Sequence, residues 1–333
     1  MIKAITTSLL LLVSIGCFAP PVAPFKTTSA WGFFAHKRIN RLAVFTLPED
    51  MFSFYKKHIE FITEHAVDPD KRRYATEGEA PRHYVDIDHY VHEGENPFEV
   101  VPRSWKKAVE KFSEDTLKAY GIVPWHIDNM MYRLTKAFKD GNLDRVLQLS
   151  ADLGHYVGDS HVPLHTTENY NGHLTNQRGI HGFWESRLPE LYHDDYDFFV
   201  GKAKYVDSPL DKAWETVESS FWAVDSVLKF EAKLNAEYPK DKKYSYENRG
   251  QALMKVYSEE YARTYHKMLD NMVERRMKSA VITTGSLWYT AWVNAGQPDL
   301  NTLGKDISED LQKKLKEEED SWKGGTIKGR EHD

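Results

Sequence analysis

From Trp31 onward the apolar residues recur every three or four positions, and few segments alternate in steps of two for long enough to build a sheet. The stretches "AHKRINRLAVFTL" (35–47) and "MFSFYKKHIEFITEHAV" (51–67) both show this spacing, which gathers apolar side chains on one helical face. "PRSWKKAVEKFSEDTLKAYG" and "IVPWHIDNMMYRLTKAFKDGN" read as two amphipathic helices, each ended by glycine. "LDRVLQLSADLGHYVGDSHVPLH" continues as a third that Pro163 should terminate. Residues 210–234 and 247–295 read as further long helices whose Trp, Tyr and Leu positions suit a shared core. At 333 residues the chain is within reach of one large core. The expected fold is therefore all-α: one large helical domain over 31–303, with long functional loops near 66–105 and 166–205.

Both ends differ from this body. "MIKAITTSLLLLVSIGCFAP" pairs a basic start with an apolar run too short to span a bilayer, which marks residues 1–30 as a signal peptide and cleavage region. Small residues in "TTSA" favour cleavage before Trp31, giving a periplasmic or secreted protein; "SIGC" offers the alternative of a lipid anchor at Cys17. Cleavage before Trp31 leaves no cysteine, so no disulfide framework would staple the exported fold, and bound metal is a candidate staple. Loss of Lys3 and Lys26 would take the formal charge from −6 to −8. That excludes a stable nucleic-acid partner held by charge neutralisation, but not an enzyme that reads phosphate through metal ions. Residues 304–333 are strongly charged and read as a solvated helical tail with a frayed end.

Five histidines, His155, His161, His165, His173 and His181, crowd into about thirty residues. His155 and Asp159 are four apart, as are His181 and Glu185, so each pair can project from one helical face. Such imidazole and carboxylate pairs suit Zn²⁺, and adjacent ions could share a phosphoryl centre. Spacing alone leaves open which of the five histidines would bind. His126 reads as a packed histidine, and Lys71, Arg72 and Arg73 as a solvated charge run.

"WGFFAH", "HYVGDSHVPLH" and "HGFWE" together resemble the ligand motifs of the zinc-dependent phospholipase C and S1/P1 nuclease superfamily. The resemblance implies three zinc ions. Trp31, His36 and Asp159 would hold one; Asp68, His83, His155 and a bridging Asp159 the second; His165, His181 and Glu185 the third. It also implies a catalytic role for Asp159 and for Asp68, the latter orienting water. Without the family pattern, His65, Asp70, Asp86 and His89 compete equally with Asp68 and His83.

What the resemblance implies about substrate divides between the branches. Glu185 and the acidic mature chain incline the reading to a phospholipase C type hydrolase acting on a phospholipid head group. The alternative is a single-strand nuclease or 3′-nucleotidase, supported by the Trp31–His36 and Asp68–His83 spacings and by Tyr84 and Asp86, where the nucleases present an aromatic and an acid to a base. A metal-stabilised binding protein without catalysis is a third class. A monomer is favoured.

Overall fold

A computed structural model describes residues 32–249, 252–304 and 306–324. The expected signal segment with Cys17, the expected ligand Trp31 and residues 325–333 lie outside the described residues. The apolar spacing becomes α1 (Gly32–Ala43), α2 (Glu49–Lys57), α3 (Ile59–Glu64) and a short α4 (Asp68–Arg72). Next come α5 (Pro97–Val100), α6 (Trp105–Phe112) and α7 (Glu114–Tyr120). The long helices α8 (Val123–Lys139) and α9 (Leu143–Ser160) follow. A one-turn α10 (Ile180–Gly182) runs through a π-helical turn, Phe183–Arg187, into α11 (Leu188–Tyr192). The chain then builds α12 (Pro209–Glu237), α13 (Glu259–Met268), α14 (Met272–Asn294) and α15 (Glu309–Gly324). It is a single, predominantly helical domain.

Local chemistry sets these boundaries. Ser113, with φ of 70°, splits the expected 102–121 helix into α6 and α7, and its hydroxyl accepts from the Thr116 amide. Gly141 takes φ of 64° after α8, and the Asn142 side chain then caps α9 by accepting from the Arg145 amide at 3.0 Å. α9 closes at Ser160, just before Pro163, as expected.

The main core lies between α2, α8, α9, α12 and α14. Tyr55 stacks on Trp288 at 5.0 Å, and both bond to Ser150: Tyr55 through the hydroxyls at 2.8 Å, Trp288 by donating to the carbonyl at 3.0 Å. α1 approaches α9 closely because Gly154 and Gly158 present no side chains. A Cβ at 158 would lie 2.8 Å from His36 Nδ1, and one at 154 would collide with Asn40. Asn40 is buried and donates to the Ile62 and Ala151 carbonyls, fixing α1 to both α3 and α9.

Two expectations are corrected here. The 247–295 stretch is not helical throughout: β1 (Tyr244–Arg249) and β2 (Ala252–Tyr257) form an antiparallel hairpin that pairs Tyr244 with Tyr257. "YSY" and "KVY" carry the aromatic and β-branched residues that strands favour, and the hairpin docks by stacking Tyr257 on Phe183 at 3.9 Å. Nor is the tail helix merely solvated. α15 docks on α4, with Lys71 Nζ 2.8 Å from Glu319, Arg72 Nη1 3.7 Å from Glu318, and Trp322 against Phe33.

Replacing Gly154 with alanine should therefore lower unfolding stability by about 1–3 kcal/mol through overpacking against Asn40. Urea denaturation checks this; an unchanged midpoint would contradict the close approach of α1 to α9.

Candidate metal centre

Six separate segments converge at the C-terminal end of α9. α1 supplies His36, α4 supplies Asp70, and the turn after residues 80–82 supplies His83. α9 supplies His155 and Asp159 one turn apart, the turn that follows it supplies His165, and α10 with its π turn supplies His181 and Glu185. Their donor atoms form three groups, each able to hold a metal ion: His36, His155 and Asp159; Asp70, His83 and His155; His165, His181 and Glu185.

Asp159 is central. Its Oδ1 lies 3.4 Å from His36 Nε2, and its Oδ2 lies 3.0 Å from His83 Nδ1 and 3.2 Å from His155 Nε2. Asp70 Oδ1 stands 3.6 Å from both His83 Nδ1 and His155 Nε2. In the third group Glu185 Oε2 is 2.6 Å from His181 Nε2 and 3.4 Å from His165 Nε2, while the two imidazole nitrogens are 3.1 Å apart. Glu185 Oε1 reaches back to His36 Nε2 at 3.5 Å, joining the groups. Gly32 fits against this carboxylate, since a Cβ there would lie 3.2 Å from Oε1.

Tautomers decide what these atoms can do. His155 Nδ1–H donates to the Ala66 carbonyl at 2.8 Å and His165 Nδ1–H to the His83 carbonyl at 2.6 Å. In the neutral rings each Nε2 therefore keeps its lone pair and turns it toward the cluster. His155 Nε2 faces only His83 Nδ1 and the Asp70 and Asp159 oxygens; Asp70 Oδ1 and Asp159 Oδ1 are buried without a hydrogen-bond donor among the described residues. Buried carboxylates and imidazole lone pairs gathered in this way are stabilised by cations among them. The residues present thus fit metal ions.

The ionisation of the cluster agrees. Burial opposes the charge on Asp159, but His155 and His165 outweigh it and hold the carboxyl well below its ordinary range. Burial likewise opposes Glu185, which bonds from His165, His181 and His36 hold low. Burial would depress His36, yet Asp159 and Glu185 raise it to about 10. His83 goes the other way, because burial outweighs Asp159, and a neutral ring is the form that ligates. In the metal-free chain, protons on imidazoles answer the carboxylates; divalent ions would displace them.

Of the residues singled out in the sequence, His36, His83, His155, Asp159, His165, His181 and Glu185 are brought together, and Asp68 is not. Asp68 Oδ2 bonds His65 Nδ1 at 2.6 Å and its Oδ1 faces Lys71 Nζ at 3.4 Å. Two residues apart on the turn of α4, Asp68 and Asp70 point in different directions, and Asp70 faces the imidazoles. His161 is tied to the Val157 carbonyl and Ser279, with burial pushing its pKa to about 3. His126 is packed and pushed to about 3 as well, His89 meets Glu168, and His173 is exposed. Tyr84 and Asp86 are buried beside His83. The Lys71–Arg73 run is not solvated: Arg72 pairs with Asp152 at 2.8 Å, and Arg73, buried, faces the charges of Asp70 and Asp159. Sequence reasoning missed Glu79. It is fully buried, accepts from Arg82 at 2.6 Å and from the Tyr156 hydroxyl, and stands 3.8 Å from His83 Nε2. Its four-residue step to His83 repeats the spacing of the ligand pairs and could have revealed it.

The family model described as S1/P1 Nuclease matches residues 31–300. No curated protein matches the chain.

Asp70→Asn should lose at least one bound metal equivalent, whereas Asp68→Asn should keep the full complement, as read by elemental analysis of purified protein. The reverse pattern would contradict the orientation of α4.

Proposed function

The chain belongs to the S1/P1 nuclease family, and from that premise we propose that it is an exported, zinc-dependent nuclease and 3′-nucleotidase acting on single-stranded nucleic acid. It is a hydrolase of phosphate esters; the choice of nucleic acid over phospholipid is the proposal. The observation that carries it is the convergence of three groups of imidazole and carboxylate donors, each able to hold a metal ion, within the segment matched by the family. The phospholipase C reading rested on Glu185 and the acidic charge, and the family match favours the nuclease alternative over it.

Three zinc ions are proposed: one on His36 and Asp159 with Trp31, one on Asp70, His83, His155 and Asp159, and one on His165, His181 and Glu185. When bound, zinc neutralises phosphoryl oxygens and makes water nucleophilic at neutral pH. Asp159 offers one oxygen to each of two neighbouring groups, which fixes their separation. Glu79 lies 3.8 Å from His83 Nε2, on the side of the ring away from Asp159. Arg73 adds a fixed positive charge opposite Asp70 and Asp159, suited to a polyanionic substrate.

The family match begins at Trp31, and Gly32 lies against Glu185. Both support maturation before Trp31, which would place its amino group at the centre. Export to the periplasm or medium and a monomeric state complete the proposal.

Zinc-loaded protein secreted by its own signal should begin at Trp31 and degrade single-stranded DNA, RNA and 3′-nucleotides, leaving phosphatidylcholine intact; N-terminal sequencing and parallel assays test this. Turnover of phosphatidylcholine alone would restore the phospholipase reading, and full metal content without any turnover would indicate a binding protein.

A further inference from the structure

On the far side of Glu79 from His83, against Arg145, Leu149 and Asp152 of α9, lies a cavity of about 110 Å³. Its walls are strongly basic. Arg72 and Arg82 belong to it but are already answered, by Asp152 at 2.8 Å and Glu79 at 2.6 Å. Arg133 of α8 and Arg145 of α9 also line it, and neither meets a carboxylate among the described residues. Arg133 donates to the Met130 sulfur at 3.4 Å. Lys314 of α15 closes the rim, and His126, 8% exposed, adds an Nε2 without a hydrogen-bond partner among the described residues.

Like charges gathered in a half-buried concavity repel, and the arrangement costs free energy until a counter-charge enters. Burial and the neighbouring Arg145 lower the Arg133 pKa, and the Asp152 carboxylate in the same wall only partly offsets them. Volume sets the class of anion that fits. The cavity is well below the ~300 Å³ of ordinary small-molecule pockets, so it admits a tetrahedral oxyanion and excludes a base or sugar. Planar guanidinium forks match phosphate oxygens in pairs.

We propose that this cavity is a second, metal-independent site for a phosphate group, held by Arg133 and Arg145 with Arg82, Lys314 and His126. The phosphate belongs to free inorganic phosphate or to the exposed terminal phosphate of a mononucleotide. Lys314 lies beyond residues 31–300, so the docked tail helix completes the site. Glu79 touches Arg82 on one side and approaches His83 on the other, which places the two sites next to each other through one carboxylate. The inference does not rest on the nuclease reading.

Equilibrium dialysis of the zinc-loaded full chain against labelled inorganic phosphate, with adenosine 5′-monophosphate as a second arm, tests it. One phosphate per chain should remain bound in Asp159→Asn and should weaken about tenfold or more in Arg133→Gln/Arg145→Gln, as expected for lost charged hydrogen bonds. Nucleotide binding with the same dependence on these arginines identifies a terminal phosphate as ligand; binding of inorganic phosphate alone identifies the free ion. Unchanged affinity in the double variant, or loss of all phosphate binding in Asp159→Asn, overturns the proposal. Should the double variant fail to fold, Arg145→Gln and Lys314→Gln, both at exposed positions, replace it. Each is expected to weaken binding, and wild-type affinity in both overturns the site.

Discussion

A buried cluster of carboxylates and imidazoles is the constraint on which the rest of this structure depends. Asp159 sits at its centre with His36, His83 and His155 against its two oxygens, and Glu185 ties His36 to the third group. Carboxylates and imidazole lone pairs at such separations repel one another in a low-dielectric interior. Metal cations there would convert that repulsion into cohesion and fasten together α1, α4, α9 and α10, which come from distant parts of the chain. Without cysteine beyond residue 30, the chain would gain in this way a cross-link that it cannot obtain from disulfides.

The surrounding fold is arranged to hold the donors still. Gly154 and Gly158 let α1 lie so close to α9 that His36 stacks on His155 at 4.0 Å. Backbone carbonyls at Ala66 and His83 take the Nδ1 protons of His155 and His165, so backbone geometry sets which nitrogen faces inward. Glu79, Arg72 and Asp152 form a buried ionic layer beneath the metal centre, and α15 covers its outer side through Glu318 and Glu319. Ligand orientation and tail docking are thus parts of one network.

Helical segments and the α9 ligand pair were legible in the sequence because each depends on a period that a helix imposes: His155 and Asp159 are one turn apart whatever surrounds them. Asp70 was not separable from Asp68, since the choice depends on how a five-residue helix rolls between His65, Lys71 and the imidazoles. The hairpin escaped because twelve strand residues stand directly before α13 and are held by a tertiary contact, Tyr257 on Phe183. α15 looked like a solvated helix because it is dense in acids and lysines, and only the folded positions of half-buried Lys71 and Arg72 reveal that two of those acids have partners.

The central claim is that three cations occupy the acceptor cluster, and anomalous diffraction at the zinc edge on crystals of the secreted protein tests it most directly. The account predicts three peaks: one near His36 and Asp159, one among Asp70, His83 and His155, and one among His165, His181 and Glu185. A well-ordered crystal with the same fold and no anomalous peak at these positions would contradict it.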